Sequence, residues 1–187
     1  MEIKPEQHMS SFTKSVLSDK APEFKTKEYL GNTLSLTDYK GQKIMLSFFR
    51  GASCPFCNMR IRELIQSYWK FQERNIAVIA VFAATAEEIA QYACKQEAPF
   101  PIVPDPKLDL YRLYGVESSP KGMYRVMMQP VKMMKMMFSG FFNMKALKDK
   151  PILPADFLID EGLQVYKIYQ GKDFGDHIPL EEVLNWD

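Results

Sequence analysis

Two short, almost wholly apolar runs set the first limit on what this chain can fold into. Lys43–Phe49 (KIMLSFF) and Ile76–Ala83 (IAVIAVFA) are bounded by turn signals and match buried strands. Between them, Phe56, Met59, Ile61, Leu64, Ile65, Tyr68 and Phe71 recur at helical spacing, which predicts an amphipathic helix over 55–72. Strand, helix and strand in that order predict a parallel βαβ unit. Thr85 followed by Glu87 and Glu88 predicts a capped helix running to about Glu97. Phe100–Val103 reads as a third strand, ended by Pro104-Asp105-Pro106, and Leu108–Tyr114 as a short helix stopped by Gly115. Ala155–Ile159 and Leu163–Tyr169 flank Asp160-Glu161-Gly162, a hairpin signal, and Pro179–Trp186 closes as a helix.

Upstream, Gly31-Asn32 lies between Phe24–Tyr29 and Thr33–Leu36 and predicts a small N-terminal hairpin, followed by a turn over 35–41. Residues 1–20 show no clear period and read as an arm or a short helix. Residues 117–150 fit none of these elements and read as an insertion. The expected architecture is therefore one α/β domain over 1–187, with a central mixed sheet flanked by helices.

Charge and cysteine usage exclude several classes. Lys and Arg number 24 against 23 Asp and Glu, and a net charge of +1 argues against a dedicated nucleic-acid binder. Three Cys cannot build a disulfide scaffold. No secretory leader and no 18-residue apolar run is visible, so a cytoplasmic location without a membrane span is expected.

Two of the three Cys form one motif, Cys54-Pro55-Phe56-Cys57. It follows the first buried strand after the loop Arg50-Gly51-Ala52-Ser53 and opens the helix. Helix N-terminal amides and the macrodipole favour a thiolate, and such placement can lower a Cys pKa from about 8.5 to roughly 3.5–7.5. Pro55 occupies the first turn without wasting a donor. Cys57, three residues on, lies on the same helical face and can close a disulfide with Cys54, while Arg50 adds a cation on the approach loop. A zinc site would need two more ligands, and the remaining Cys94, His8 and His177 supply no second pair. No metal or cofactor is therefore expected. Two inert buried thiols remain the plain alternative. The two His are far apart in sequence, and no Ser/His/Asp constellation is apparent.

Ala21–Phe24 (APEF), Leu34–Gly41 (LSLTDYKG), Leu46–Cys57 (LSFFRGASCPFC), Phe100–Asp105 (FPIVPD), Leu113–Val116 (LYGV) and Pro154–Gly162 (PADFLIDEG) occur in an order that resembles the alkyl hydroperoxide reductase/thiol-specific antioxidant (AhpC/TSA) family. That family comprises peroxiredoxins and their thioredoxin-like relatives. The resemblance implies a thioredoxin-like fold over most of residues 20–187, apart from 117–150. It also implies an antioxidant oxidoreductase that acts on a protein or small-molecule disulfide, or a hydroperoxide, and is recharged by a reducing thiol partner. A thioredoxin-fold binding module with an idle Cys pair is the non-enzymatic alternative.

The chain departs from the peroxiredoxin pattern Pro-x-x-x-Thr/Ser-x-x-Cys. Cys57 takes the peroxide-attacking position, but Arg50 stands in place of the Pro and Cys54 in place of the Thr. Pro154 stands where peroxiredoxins carry an Arg. Both changes resemble thioredoxin-like members, which imply a cis peptide bond at Pro154 facing the pair. In that reading Cys54 attacks and Cys57 resolves; in the peroxiredoxin alignment the roles swap. Thioredoxins also bury an acid beneath the pair, and here Ser47 stands near that place. Cys94, late in its helix, reads as a buried apolar thiol, with a resolving role as the alternative.

Eight of the 12 Met lie within 121–150, together with seven basic residues and one acid, Asp149. The segment is thus +6 and the remainder −5. Pro130 and Gly140 divide it into what read as two short helices. A helix packed on the core, a lid over the Cys pair, a homodimer interface and a basic membrane-surface patch are the roles open to it.

Overall fold

The computed structural model describes residues 20–92, 96–116, 118–119, 124–125, 127–141, 145–146 and 149–186. A two-stranded antiparallel hairpin, β1 (Lys25–Lys27) and β2 (Thr33–Ser35), leads through a 3-10 turn at Leu36–Tyr39 into the main sheet. There follow β3 (Lys43–Phe49), α1 (Pro55–Glu73), β4 (Ile76–Phe82), α2 (Ala86–Tyr92), β5 (Ile102–Pro104), α3 (Asp109–Leu113), α4 (Pro130–Phe138), β6 (Ala155–Ile159), β7 (Val165–Gln170) and α5 (Leu180–Leu184). The sheet order is β5-β4-β3-β6-β7. β3, β4 and β5 run parallel, and β6 and β7 pair antiparallel on the other side of β3. The mixed sheet and the N-terminal hairpin expected from sequence are both present.

β3 is buried on both faces, as a central strand flanked by helices must be. Its period of two sends Met45 and Phe49 to one layer, where Ile61, Leu64 and Phe71 of α1 meet Val78, Phe82 and Leu158. Ile44, Leu46 and Phe48 go to the other layer, with Tyr111, Tyr114 and Phe157 beneath the hairpin residues Phe24 and Leu34. α2 starts on a capping box, Glu88 N–H to Thr85 Oγ1 and Thr85 N–H to Glu88 Oε2, at 3.3 and 2.9 Å. Asp105 caps α3 by accepting the Asp109 and Leu110 amides at 2.9 and 2.8 Å. The expected N-terminal arm, residues 1–19, and Cys94 lie outside the described residues.

One expectation fails. The peptide bond before Pro154 is trans. The Pro154 carbonyl accepts the Gly171 amide at 2.8 Å, and Ala155 pairs at once with Phe48 and Gln170. Pro154 thus stands just ahead of β6, where a trans Pro costs no ladder bond.

Candidate active site

Cys54 is the N-cap of α1, Pro55 is its first residue, and Cys57 lies one turn in. Both thiols are free and buried, at 0% and 1% exposure. The loop that carries them is locked from inside. The Cys54 amide donates to Gly51 O at 3.1 Å, and the buried Asn58 side chain donates to Ala52 O and Cys54 O at 2.8 and 2.9 Å. Asn58 went unnoticed in the sequence, where a polar residue in a first helical turn carries no signal of its own.

The two thiols are electrostatically unlike. Cys54 is pulled down to about 7, chiefly by the hydrogen bond from the Cys57 thiol; burial opposes this, and the Arg50 charge and the Cys57 amide assist it. Cys57 is pushed up, first by burial and then because its proton is held by Cys54. One thiolate and one thiol, side by side at a helix start, is the arrangement this site favours.

The Arg50 charge favours the Cys54 thiolate, but its side-chain hydrogen bonds go elsewhere. Its Nε donates to Lys150 O at 2.9 Å, and its Nη2 to Ala146 O and Asp149 O at 2.8 and 2.9 Å. The guanidinium also stacks 4.3 Å above the Phe174 ring. The end of the Met-rich segment is thereby strapped across the Cys loop. Asp149 sits over Gly51 so closely that a Cβ there would collide with its carboxyl group, and it accepts the Ser53 hydroxyl at 3.0 Å. Burial raises the Asp149 carboxyl above its ordinary value, against the Ser53 bond and the Arg50 charge. Asp149, Ser53, Lys145 and Lys150 line a cavity of about 430 Å³ that also borders Glu88 and Tyr92 of α2.

On the far side, Phe56 packs with Leu153, Phe174 and Met133 of α4, and Gly175 lets the Phe56 ring approach. Pro154 adjoins this cluster through Leu153.

Ser47 is paired with a buried acid on the neighbouring strand: its Oγ donates to Asp156 Oδ1 at 2.6 Å. Asp156 also accepts the Ile178 amide at 2.8 Å and faces His177 Nδ1 at 3.1 Å. Burial pushes this carboxyl up, but His177, Arg60 and Ser47 outweigh it and hold it below the usual range. A Ser, an Asp and a His thus meet after all. The hydroxyl bonds the carboxylate rather than the imidazole and is fully buried, so this is not a nucleophilic triad. Among the described residues, no group of three or more His, Cys, Asp or Glu is placed to hold a metal ion.

Comparison with known proteins places this geometry in context. Residues 17–168 match the model of the AhpC/TSA family. Over 123 residues the chain is 28% identical to a protein of Mycobacterium tuberculosis named as a peroxiredoxin, covering 66% of this chain and 78% of that one. It is 26% identical to the thiol-disulfide oxidoreductase ResA of Bacillus cereus over 110 residues, 58% of this chain and 63% of that one. Among solved structures, peroxidoxin BcpB of Mycobacterium tuberculosis superposes with a TM-score of 0.65 at 15% identity, covering 89% and 92% of the two chains. A protein described as the thiol:disulfide interchange protein DsbE of Chlorobium tepidum superposes with a TM-score of 0.60 at 23% identity, covering 88% and 92%. These superpositions carry the fold.

Proposed function

The chain belongs to the AhpC/TSA family and is a thioredoxin-like thiol oxidoreductase, and on that premise we propose that it works by thiol–disulfide exchange at Cys54 and Cys57. The observation that carries this reading is the pairing of a favoured thiolate at the N-cap of α1 with a protonated thiol one turn later. The Cys54 thiolate attacks one sulfur of a substrate disulfide, forming a mixed disulfide and releasing the other sulfur as thiolate. Cys57 then loses its proton and attacks Cys54 Sγ. The Cys54–Cys57 disulfide forms, the second substrate sulfur leaves, and the substrate has gained two electrons. An external reducing thiol reverses the protein's oxidation. Pro55 keeps the helix start intact, and Arg50 supplies the charge that favours the thiolate.

Attack on a hydroperoxide by Cys57 would need its thiolate, which burial disfavours. The same reading puts the protein in a compartment where thiols stay reduced, with the cytoplasm as the expected location. Among the described residues no helix is long and apolar enough to cross a membrane.

Thiol titration against a model disulfide and against hydrogen peroxide tests the proposal. Rapid loss of two thiols with the disulfide, a trapped mixed disulfide in Cys57→Ser and none in Cys54→Ser are expected. Loss of thiols with peroxide alone, with Cys57 oxidised first, would overturn it in favour of a peroxidase.

A further inference from the structure

The Cys loop lies between two charged side chains that act on Cys54 in opposite directions. Arg50 is carried by the loop itself, and its charge favours the thiolate. Asp149 is carried by the strap laid across the loop, and its charge disfavours the thiolate. The acid is seated on the loop at three points. Its carboxyl group packs on Gly51, whose carbonyl accepts the Cys54 amide at 3.1 Å. Its Oδ2 accepts the hydroxyl of Ser53, the residue before Cys54, at 3.0 Å. Its backbone carbonyl accepts Arg50 Nη2 at 2.9 Å. The guanidinium therefore grips the Asp149 backbone and not its carboxylate.

The other charged or titratable groups that share the cavity with Asp149 are Glu88 and Tyr92 of α2 and Lys145 and Lys150 of its own segment. Glu88 adds like charge, and its Oε2 accepts the Thr85 amide at 2.9 Å. Lys150 turns its ammonium to Pro106 O at 3.0 Å, and Lys145 lies 5.7 Å from the centre of the Tyr92 ring. A half-buried carboxylate is screened less than one in open water, so it repels a neighbouring anion over a longer reach. The thiolate one residue from Ser53 is that anion.

We propose that Asp149 is a positioning residue for the reaction at Cys54: seated on Gly51 and Ser53, its carboxylate opposes negative charge on the Cys54 sulfur and so restrains the nucleophile that Arg50 promotes. The proposal rests on the reading of Cys54 as the attacking thiolate. Iodoacetamide labelling of Cys54 in the full chain across a pH series, read by mass spectrometry, tests it. Asp149→Asn keeps the shape of the side chain and an acceptor for Ser53 but removes the charge. Its labelling midpoint is expected below the wild-type value of about 7, with an unchanged plateau. Labelling at about pH 6 should then be roughly threefold faster than in the wild type. Asp149→Ala should lower the midpoint likewise. Asp149→Glu, which keeps the charge, should stay near the wild type, and Ser53→Ala, which leaves the acid in place, should not lower the midpoint. A merely structural strap would raise the plateau without moving the midpoint. That result, an unchanged or raised midpoint in Asp149→Asn, or the same fall in Asp149→Glu, would overturn the proposal. Labelling needs no turnover of a disulfide. The expected midpoints without disulfide exchange would therefore support this role for Asp149 and count against the exchange reading alone.

Discussion

At the scale of the residue, the site depends on two thiols three positions apart that ionise differently. The sequence alone showed which residues these were, because strand, loop, Cys and helix are contiguous. It could not show that Arg50 lends its charge to the thiolate while its donors bond a strap about a hundred residues away. The split has a pH signature. Because the reactive species is the thiolate, alkylation of Cys54 by iodoacetamide should be slow in mild acid and rise with pH to a plateau, with its midpoint at about 7. In Arg50→Gln the midpoint should move upward, since a cation that favours the thiolate is gone. Mass spectrometry of the labelled Cys54 peptide across neutral pH checks both curves.

At the scale of the element, most was visible beforehand because hydrophobic period and punctuation are local. β3, β6 and the start of α1 fall where the pattern put them. The turn expected over 35–41 includes a 3-10 turn, and Pro154 stands just ahead of β6 in trans. The 3-10 turn is capped locally, the Ser35 amide donating to Asp38 Oδ2, whereas the setting of Pro154 depends on tertiary partners that no local pattern encodes. The same holds for the loop before α1, whose shape rests on one amide side chain. Asn58→Ala removes the side-chain donor to Ala52 O and Cys54 O, the latter keeping the backbone amide of position 58. Urea unfolding should show a loss of about 1–3 kcal/mol, the cost of leaving buried polar groups unpaired. The same variant should react faster at Cys54 as the loop loosens.

At the scale of the whole molecule, Asp156 ties three distant pieces together: β3 through Ser47, its own strand β6, and the C-terminal run through His177 and Ile178. Nothing in the sequence links positions 47, 156 and 177; only pairing of β6 against β3 brings them together, so this cluster stayed invisible until the sheet was assembled. Because the folded carboxyl sits below its ordinary value of 3.8, the stability it contributes is complete above that pH and is lost as pH falls through the folded value. Asp156→Asn should cost roughly 3–5 kcal/mol at neutral pH, as removal of one member of a buried charge cluster does. It should also flatten the acid end of the stability curve measured by denaturant titration at successive pH values.

The strap has a consequence for how this chemistry keeps time. Both sulfurs are buried, and Arg50, on the loop that carries them, holds the carbonyls of Ala146, Asp149 and Lys150. A reagent therefore meets a protein that is closed between brief openings. At low reagent concentration the rate follows how often collision and opening coincide. At high concentration it levels off at the opening frequency itself, whatever the reagent's intrinsic reactivity. The protein would then discriminate among oxidants less by their chemical strength than by whether they can reach the sulfurs during an opening.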